Sequence, residues 1–128
     1  MPQHGTVVWN ELHTRNADKA KEFYGATLGW GFDGMPMADG GTYWVAKVGD
    51  RMVGGIFTMA DPMFAGVPEH WLCYIEVDDV DQRLVHAREA GGEVLRDPFE
   101  VPGVGRIAIV KDPGGAVAGW MTSVPQSG

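Results

Sequence analysis

The sequence predicts an α+β fold in which a strand–helix–strand–strand–strand order occurs twice. Two observations carry this prediction. The segment Val53–Thr58 matches Val117–Thr122 at an offset of 64 residues (117 − 53), and the helix beginning near Asp18 matches one near Asp81 at an offset of 63 (81 − 18). Such internal repetition indicates a duplicated unit. One helix on a small sheet has too little core to fold alone, so we expect two βαβββ modules in one mostly antiparallel structural domain.

The module boundaries follow from a segment without periodicity. Residues 60–69 contain two prolines and a glycine and predict a connection. We therefore expect a first module over 1–59, a connecting loop over 60–69, a second module over 70–123 and a tail over 124–128.

The first module begins with a strand over residues 6–13, rich in β-branched and aromatic side chains. Asn16 then caps a helix that ends at Gly29. The strands that follow are expected over 30–32, 42–48 and 52–59. The inner stripe of the helix is Ala17, Ala20, Tyr24 and Leu28.

The second module repeats this pattern. A strand is expected over 70–77, and Asp79 with Gln82 forms a capping box at the start of the helix. The inner stripe of this helix is Val80, Leu84, Ala87 and Gly91. The remaining strands are expected over 93–96, 106–110 and 116–122.

Composition excludes several classes of protein. The chain has 128 residues, 45% of them hydrophobic, and lacks the ~20-residue apolar run of a membrane helix. Its net charge of −7, with scattered Lys and Arg, disfavours nucleic acid and anionic membranes as partners. The single Cys73 rules out an internal disulfide or a CxxC site. We read no signal peptide at the N-terminus, so a cytoplasmic location is expected.

Three segments resemble the glyoxalase, bleomycin-resistance and extradiol-dioxygenase superfamily, also called the vicinal oxygen chelate superfamily. The resemblance covers residues 5–122 and implies two βαβββ modules whose sheet curls into an open cup. The segments are Trp9-Asn10-Glu11-Leu12 with Ala20–Gly25 and Leu28-Gly29-Trp30, then Val77–Asp81 with Ala90-Gly91-Gly92, and finally Gly105–Ala116.

The resemblance also implies four cup-facing positions for the ligands of a divalent metal. They fall near Trp9 and Leu72 on the first strands, and near Gly55 and Gly119 on the last strands. Side chains that ligate such metals are imidazoles and carboxylates, and these four residues supply none. We therefore expect a member of the superfamily without the usual metal site and without a cofactor.

Strand alternation places a mostly aromatic and apolar set of side chains on the cup face. This composition is typical of a site for a small aromatic or apolar molecule, although the same residues would equally fill a core. Glycines in the middle of two equivalent strands favour the first reading. The expected substrate-binding residues are Trp9, Glu11, His13, Gly55, Phe57, Leu72, Tyr74, Gly119 and Met121.

Three polar residues are candidates for chemistry. Glu11, His13 and Glu76 could act as general acid and base or hold a relocated metal; the alternative is an ion pair at the rim of the cup. The sequence thus leaves three functions open. The first is binding of a small aromatic compound, as in bleomycin-resistance proteins. The second is a metal-free enzyme such as a lyase, isomerase or hydroxylase, and the third a protein-interaction module. The resemblance also implies a homodimer.

Overall fold

The computed structural model describes residues 2–38 and 40–124 and confirms the α+β class and the repeated element order. Most of the predicted tail, 125–128, lies outside the described residues. The strands of the first repeat are β1 Val7–Thr14, β2 Gly31–Pro36, β3 Thr42–Val48 and β4 Arg51–Thr58, with helix α1 Ala17–Leu28. Those of the second are β5 His70–Glu76, β6 Glu93–Val101, β7 Gly105–Lys111 and β8 Val117–Ser123, with helix α2 Val80–Glu89.

The chain divides into two compact units. The first unit is Trp9–Leu72, and the second unit contains the chain up to Val8 and from Cys73 onward. In the first unit the strand order is β2-β3-β4-β1, and in the second it is β5-β8-β7-β6. β1 pairs with β4 and β5 with β8 in parallel, while the neighbouring pairs are antiparallel. The module boundaries drawn from the sequence stay a prediction.

Both helices begin at the predicted caps. Asn16 Oδ1 accepts a hydrogen bond from the Lys19 amide, and Asp79 Oδ1 accepts one from the Gln82 amide. α1 ends at Gly29, whose φ of 73° is a left-handed conformation that glycine adopts without strain. These contacts satisfy amides that a helix terminus leaves without partners.

The inner face of α2 forms the core of the second unit. Val80, Leu84 and Ala87 are buried against Ala108 and Val110, and Trp120 packs against this cluster. By contrast, no residue of α1 is buried, and Leu28 of its predicted inner stripe is 57% exposed. The inner position assigned to Leu28 was wrong, because the small Ala17 and Ala20 do not draw the helix onto the sheet.

The strand predicted over 93–96 is longer than expected. β6 continues to Val101 although Pro98 lies within it. Pro98 is accommodated because β6 ends the strand order of its unit and its pairing with β7 shifts register between Arg96 and Phe99. The predicted connection over 60–69 contains one short 3-10 turn, Pro62–Phe64.

Candidate functional site

The first unit brings Glu11 and His13 of β1 beside the two residues of β4 that the sequence placed with them. The parallel register pairs Glu11 with Gly55 and His13 with Phe57. Trp9, two residues before Glu11, shares this face because side chains of a strand alternate. Glu11 and His13 are buried, and Trp9 and Phe57 are half-buried. We call this face of the first unit the inner face.

Tyr43 of β3 completes the group and was missed in the sequence. A Cβ atom added to Gly55 would overlap the Tyr43 hydroxyl, so the glycine leaves room for this tyrosine. The signal that could have found it is an aromatic residue on the strand beside a strand glycine, a known pairing in sheets. The space expected for a ligand at Gly55 is therefore taken by the protein's own side chain.

Tyr43 links two other members of the inner face by hydrogen bonds. Trp9 Nε1 donates to Tyr43 Oη at 2.9 Å, and Tyr43 Oη donates to Glu11 Oε2 at 2.6 Å. Burial, followed by the neighbouring Glu11 carboxylate, raises the pKa of Tyr43 well above its usual range. The phenol consequently stays protonated and holds one oxygen of Glu11 in a fixed direction.

The second oxygen of Glu11 faces His13. Glu11 Oε1 lies 2.8 Å from His13 Nε2, which is an ion-pair distance, but the two atoms do not form a hydrogen bond. In the part of the chain that the structure describes, His13 Nε2 is the buried side-chain nitrogen or oxygen without a hydrogen bond. Such atoms cost stability and call for a functional explanation.

Aromatic rings surround the His13 imidazole. The His70 ring stacks on it with centroids 4.9 Å apart, and the Phe57 ring lies at 5.2 Å, tilted by 44°. His70 Nδ1 is 2.8 Å from the Pro68 carbonyl oxygen, which fixes the orientation of that ring.

The predicted residues of the second unit have different surroundings. Glu76 is 3% exposed, and its carboxylate accepts hydrogen bonds from the Ser123 amide at 2.9 Å and the Ser123 hydroxyl at 2.6 Å. Glu76 thus ties β5 to the end of β8. A Cβ on Gly119 would overlap the ring of Tyr74. Tyr74 and Met121 are buried, as is Leu72, the last residue of the first unit, and the assignment of all three to a ligand site stays a prediction.

A comparison with models of protein families identifies the superfamily of this chain. Residues 6–118 match the model of the Glyoxalase/Bleomycin resistance protein/Dioxygenase superfamily. The chain belongs to this superfamily. The resemblance noted in the sequence is thereby confirmed.

Two relatives found by sequence comparison align with nearly all of the chain. CFP32 of Mycobacterium tuberculosis, which is named as a glyoxylase, is 43% identical over 95% of this chain and 46% of its own length. The anthracycline biosynthesis protein DnrV of Streptomyces peucetius is 27% identical over 94% of this chain and 48% of its own. The chain spans about half the length of the curated relatives it matches.

Solved structures show the same fold at low identity. The hypothetical protein BH1468 of Bacillus halodurans has a TM-score of 0.72 at 13% identity, covering 98% of this chain and 99% of that one. A methylmalonyl-CoA epimerase of Streptomyces coelicolor, solved with 2-nitronate-propionyl-CoA, has a TM-score of 0.67 at 19% identity and covers 96% and 100%. Both likenesses concern the fold alone.

The four positions that the superfamily resemblance assigns to a divalent metal do not fit one in this chain. Trp9 and Leu72 carry no donor for such an ion, and the spaces beside Gly55 and Gly119 hold Tyr43 and Tyr74. Among residues 2–38 and 40–124, no three His, Cys, Asp or Glu side chains are grouped closely enough to hold a metal ion. In the same ranges no helix is long and apolar enough to cross a membrane.

Proposed function

We propose that this superfamily member binds a small organic molecule with an aromatic or apolar part on the inner face of the first unit. The observation that carries the proposal is the buried His13 Nε2 without a hydrogen bond, 2.8 Å from a carboxylate oxygen. A polar atom of a ligand would supply the missing partner. The rings of Trp9, Phe57 and His70 offer stacking partners for the rest of the molecule.

The binding proposed here does not use the superfamily's divalent metal. Its support is the donor chemistry at Trp9, Leu72, Gly55 and Gly119, where no imidazole or carboxylate is present. Elemental analysis of the purified protein tests this part separately. One equivalent of a divalent metal, whose removal abolishes binding, would contradict it.

A second candidate is a metal-free enzyme of lyase, isomerase or hydroxylase type that uses the Glu11–His13 pair. The observation that favours it is the way Tyr43 fixes one oxygen of Glu11 while the other faces His13. A carboxylate beside an imidazole can stabilise the imidazolium that forms when the ring takes a proton from a substrate. Glu76, the third acid–base candidate, is engaged by Ser123, which disfavours it for this role.

The remaining predictions concern assembly and location. We propose a homodimer in the cytoplasm, with no nucleic-acid partner. The support for the last point is the net charge of −7 without a basic cluster.

The experiment that tests the binding proposal is a thermal-shift screen with phenol, catechol, benzoate, indole and quinoline. We expect at least one to raise the Tm of the protein, since a ligand at 100 times its Kd adds about 2.7 kcal/mol of stability. The shift should disappear in His13→Leu and persist in the control His86→Leu, because His86 is exposed on α2. No shift with any of the five compounds, or an unchanged shift in His13→Leu, would overturn the proposal.

A further inference from the structure

The face of the first unit opposite the inner face contains a groove beneath α1. Leu12 and Thr14, which alternate with Glu11 and His13 along β1, lie at its floor. The groove has a volume of about 530 Å³ and extends to the Glu69–Trp71 segment. This volume lies within the range of small-molecule sites.

The repeat shows that the fold itself does not require this groove. In the second unit the equivalent helix α2 buries Val80, Leu84 and Ala87 against the strands. α1 buries none of its residues and is instead held by Tyr24. The Tyr24 hydroxyl accepts a hydrogen bond from Trp71 Nε1 at 3.1 Å, and its ring stacks on Trp30 at 5.4 Å.

The lining of the groove has aromatic side chains open to solvent. Phe23 is 59% exposed and Trp71 is 42% exposed. The Phe23 and Tyr24 rings touch edge to face at 5.0 Å, and the Tyr24 and Trp71 rings at 5.6 Å, so the three form one continuous cluster. Contiguous exposed clusters of large apolar side chains are typical of binding surfaces.

Two charged side chains that line the groove, Glu69 and Lys19, differ in the contacts that they make. The Thr14 hydroxyl donates to the Glu69 carboxylate, and this hydrogen bond is the main cause that lowers the pKa of Glu69. Lys19 also lines the groove, and no ion pair is recorded for its ammonium group within the described residues. The lining thus carries one cation, Lys19, and one carboxylate, Glu69, which stays ionised and is held by Thr14.

We propose that this groove is a second binding site, distinct from the inner face, for a planar aromatic molecule that carries an acidic group. The ring lies against Phe23 and Trp71, and the acidic group faces the ammonium of Lys19. Stacking on the exposed rings supplies most of the affinity, and the cation adds selectivity for an anion.

The test uses 1-naphthoate and its neutral analogue 1-naphthalenemethanol, followed by two-dimensional ¹H–¹⁵N NMR. We expect both compounds to shift the Trp71 indole N–H and the Phe23 amide. Lys19→Gln should weaken naphthoate binding roughly threefold, the size of an exposed ion pair, and leave the alcohol unaffected. Phe23→Ser should weaken both compounds about tenfold. The matched controls are Lys111→Gln and Val85→Ser, at exposed or half-exposed positions of the second unit.

Three results would overturn the proposal. The first is the absence of shifts at Trp71 and Phe23. The second is equal binding of naphthoate to Lys19→Gln and Lys111→Gln. The third is a drop in molecular mass for Phe23→Ser, which would show that a second copy of the chain covers this face. Phe23 lines the groove and Tyr43 does not, so a compound that binds more weakly to Phe23→Ser and equally well to Tyr43→Phe occupies the groove, whereas the reverse pattern places it on the inner face, whichever of the two sites fails.

Discussion

The two units place a glycine at the same point of their last strands but use it differently. In the first unit, Gly55 makes room for the hydroxyl of Tyr43, which comes from β3 and donates to Glu11. In the second unit, Gly119 makes room for the ring of Tyr74, which lies on β5 opposite it. The duplicated glycine thus reserves space for a tyrosine in both units, and in the first the tyrosine donates a hydrogen bond to a buried acid.

The buried glutamates of the two units, Glu11 and Glu76, also differ in their contacts. Glu76 accepts two hydrogen bonds from Ser123, and its role is to hold two strands together. One oxygen of Glu11 accepts a hydrogen bond from Tyr43, and the other faces His13 Nε2, which has no hydrogen bond. In the second unit Glu76 is hydrogen-bonded to Ser123, while in the first unit a buried imidazole nitrogen has no hydrogen bond. This difference is why we place the candidate chemistry in the first unit.

The largest expected effect concerns the two helices. Leu84→Ala in α2 should lower the free energy of unfolding by about 3 kcal/mol, because a side chain that is 3% exposed leaves a cavity. The matched change Leu28→Ala in α1 should cost under about 1 kcal/mol, since Leu28 is 57% exposed. Urea unfolding of both variants measures the difference. Equal losses would show that α1 is covered in solution, by a partner or a ligand.

The second prediction concerns the Tyr43–Glu11 hydrogen bond. Tyr43→Phe should cost about 2 kcal/mol, because it removes a buried hydrogen bond to a charged group. Gly55→Ala should cost about 1–3 kcal/mol, because the new Cβ displaces the same hydroxyl. The double variant should lose less than the sum of the two, since both changes break one interaction.

The control for this cycle is Ser123→Ala, whose hydroxyl donates to Glu76 in the second unit. Its cost should add to that of Tyr43→Phe. A positioning role for Tyr43 further requires that Tyr43→Phe and Gly55→Ala change the ¹⁵N chemical shifts of the His13 ring, while Ser123→Ala leaves them unchanged. Full additivity of Tyr43→Phe with Gly55→Ala, or unchanged His13 shifts, would contradict this role.

A smaller effect is expected at Ser123. Ser123→Ala removes one of the two hydrogen bonds to Glu76 and keeps the other, which comes from the backbone amide. We expect a loss of about 1 kcal/mol in unfolding free energy and no change in binding of any ligand found in the thermal-shift screen. A loss of ligand binding would mean that Glu76, and not Glu11, belongs to the site.

The sequence predicted the order of elements, the helix caps and the pairing of Glu11 and His13 with one face, because these depend on local patterns. It did not predict Tyr43 over Gly55. The position of Tyr43 depends on how β3 pairs with β4, and that register shifts between Ala46 and Lys47. It also did not predict that α1 buries none of its residues, because the periodic stripe of α1 resembles that of α2. At the offset of 63 residues, Ala17 and Lys21 stand in the positions of Val80 and Leu84, so α1 lacks the two large apolar side chains with which α2 packs on its strands.

The smallest expected effect is the response of the second unit to acid. The Arg106 guanidinium donates to Asp81 at 2.8 and 2.9 Å and lowers the pKa of that carboxyl, as Arg83 does for Asp78. A carboxyl whose pKa is lower in the folded state stabilises the fold above its unfolded pKa, near 4, and loses this contribution as the pH falls. Both carboxyls are exposed, so the contribution is small and screened by salt.

Asp81→Asn tests this response through the urea midpoint of unfolding. We expect the variant to unfold at a slightly lower urea concentration than the wild type at pH 7, because it has lost the ion pair with Arg106. The gap should narrow as the pH falls from 6 toward 2, where the wild-type carboxyl takes up its proton, and it should also narrow in 1 M NaCl at pH 7. A gap that widens in acid would mean that the Arg106 contact does not stabilise the second unit, and the comparison of the units would then rest on their buried residues alone.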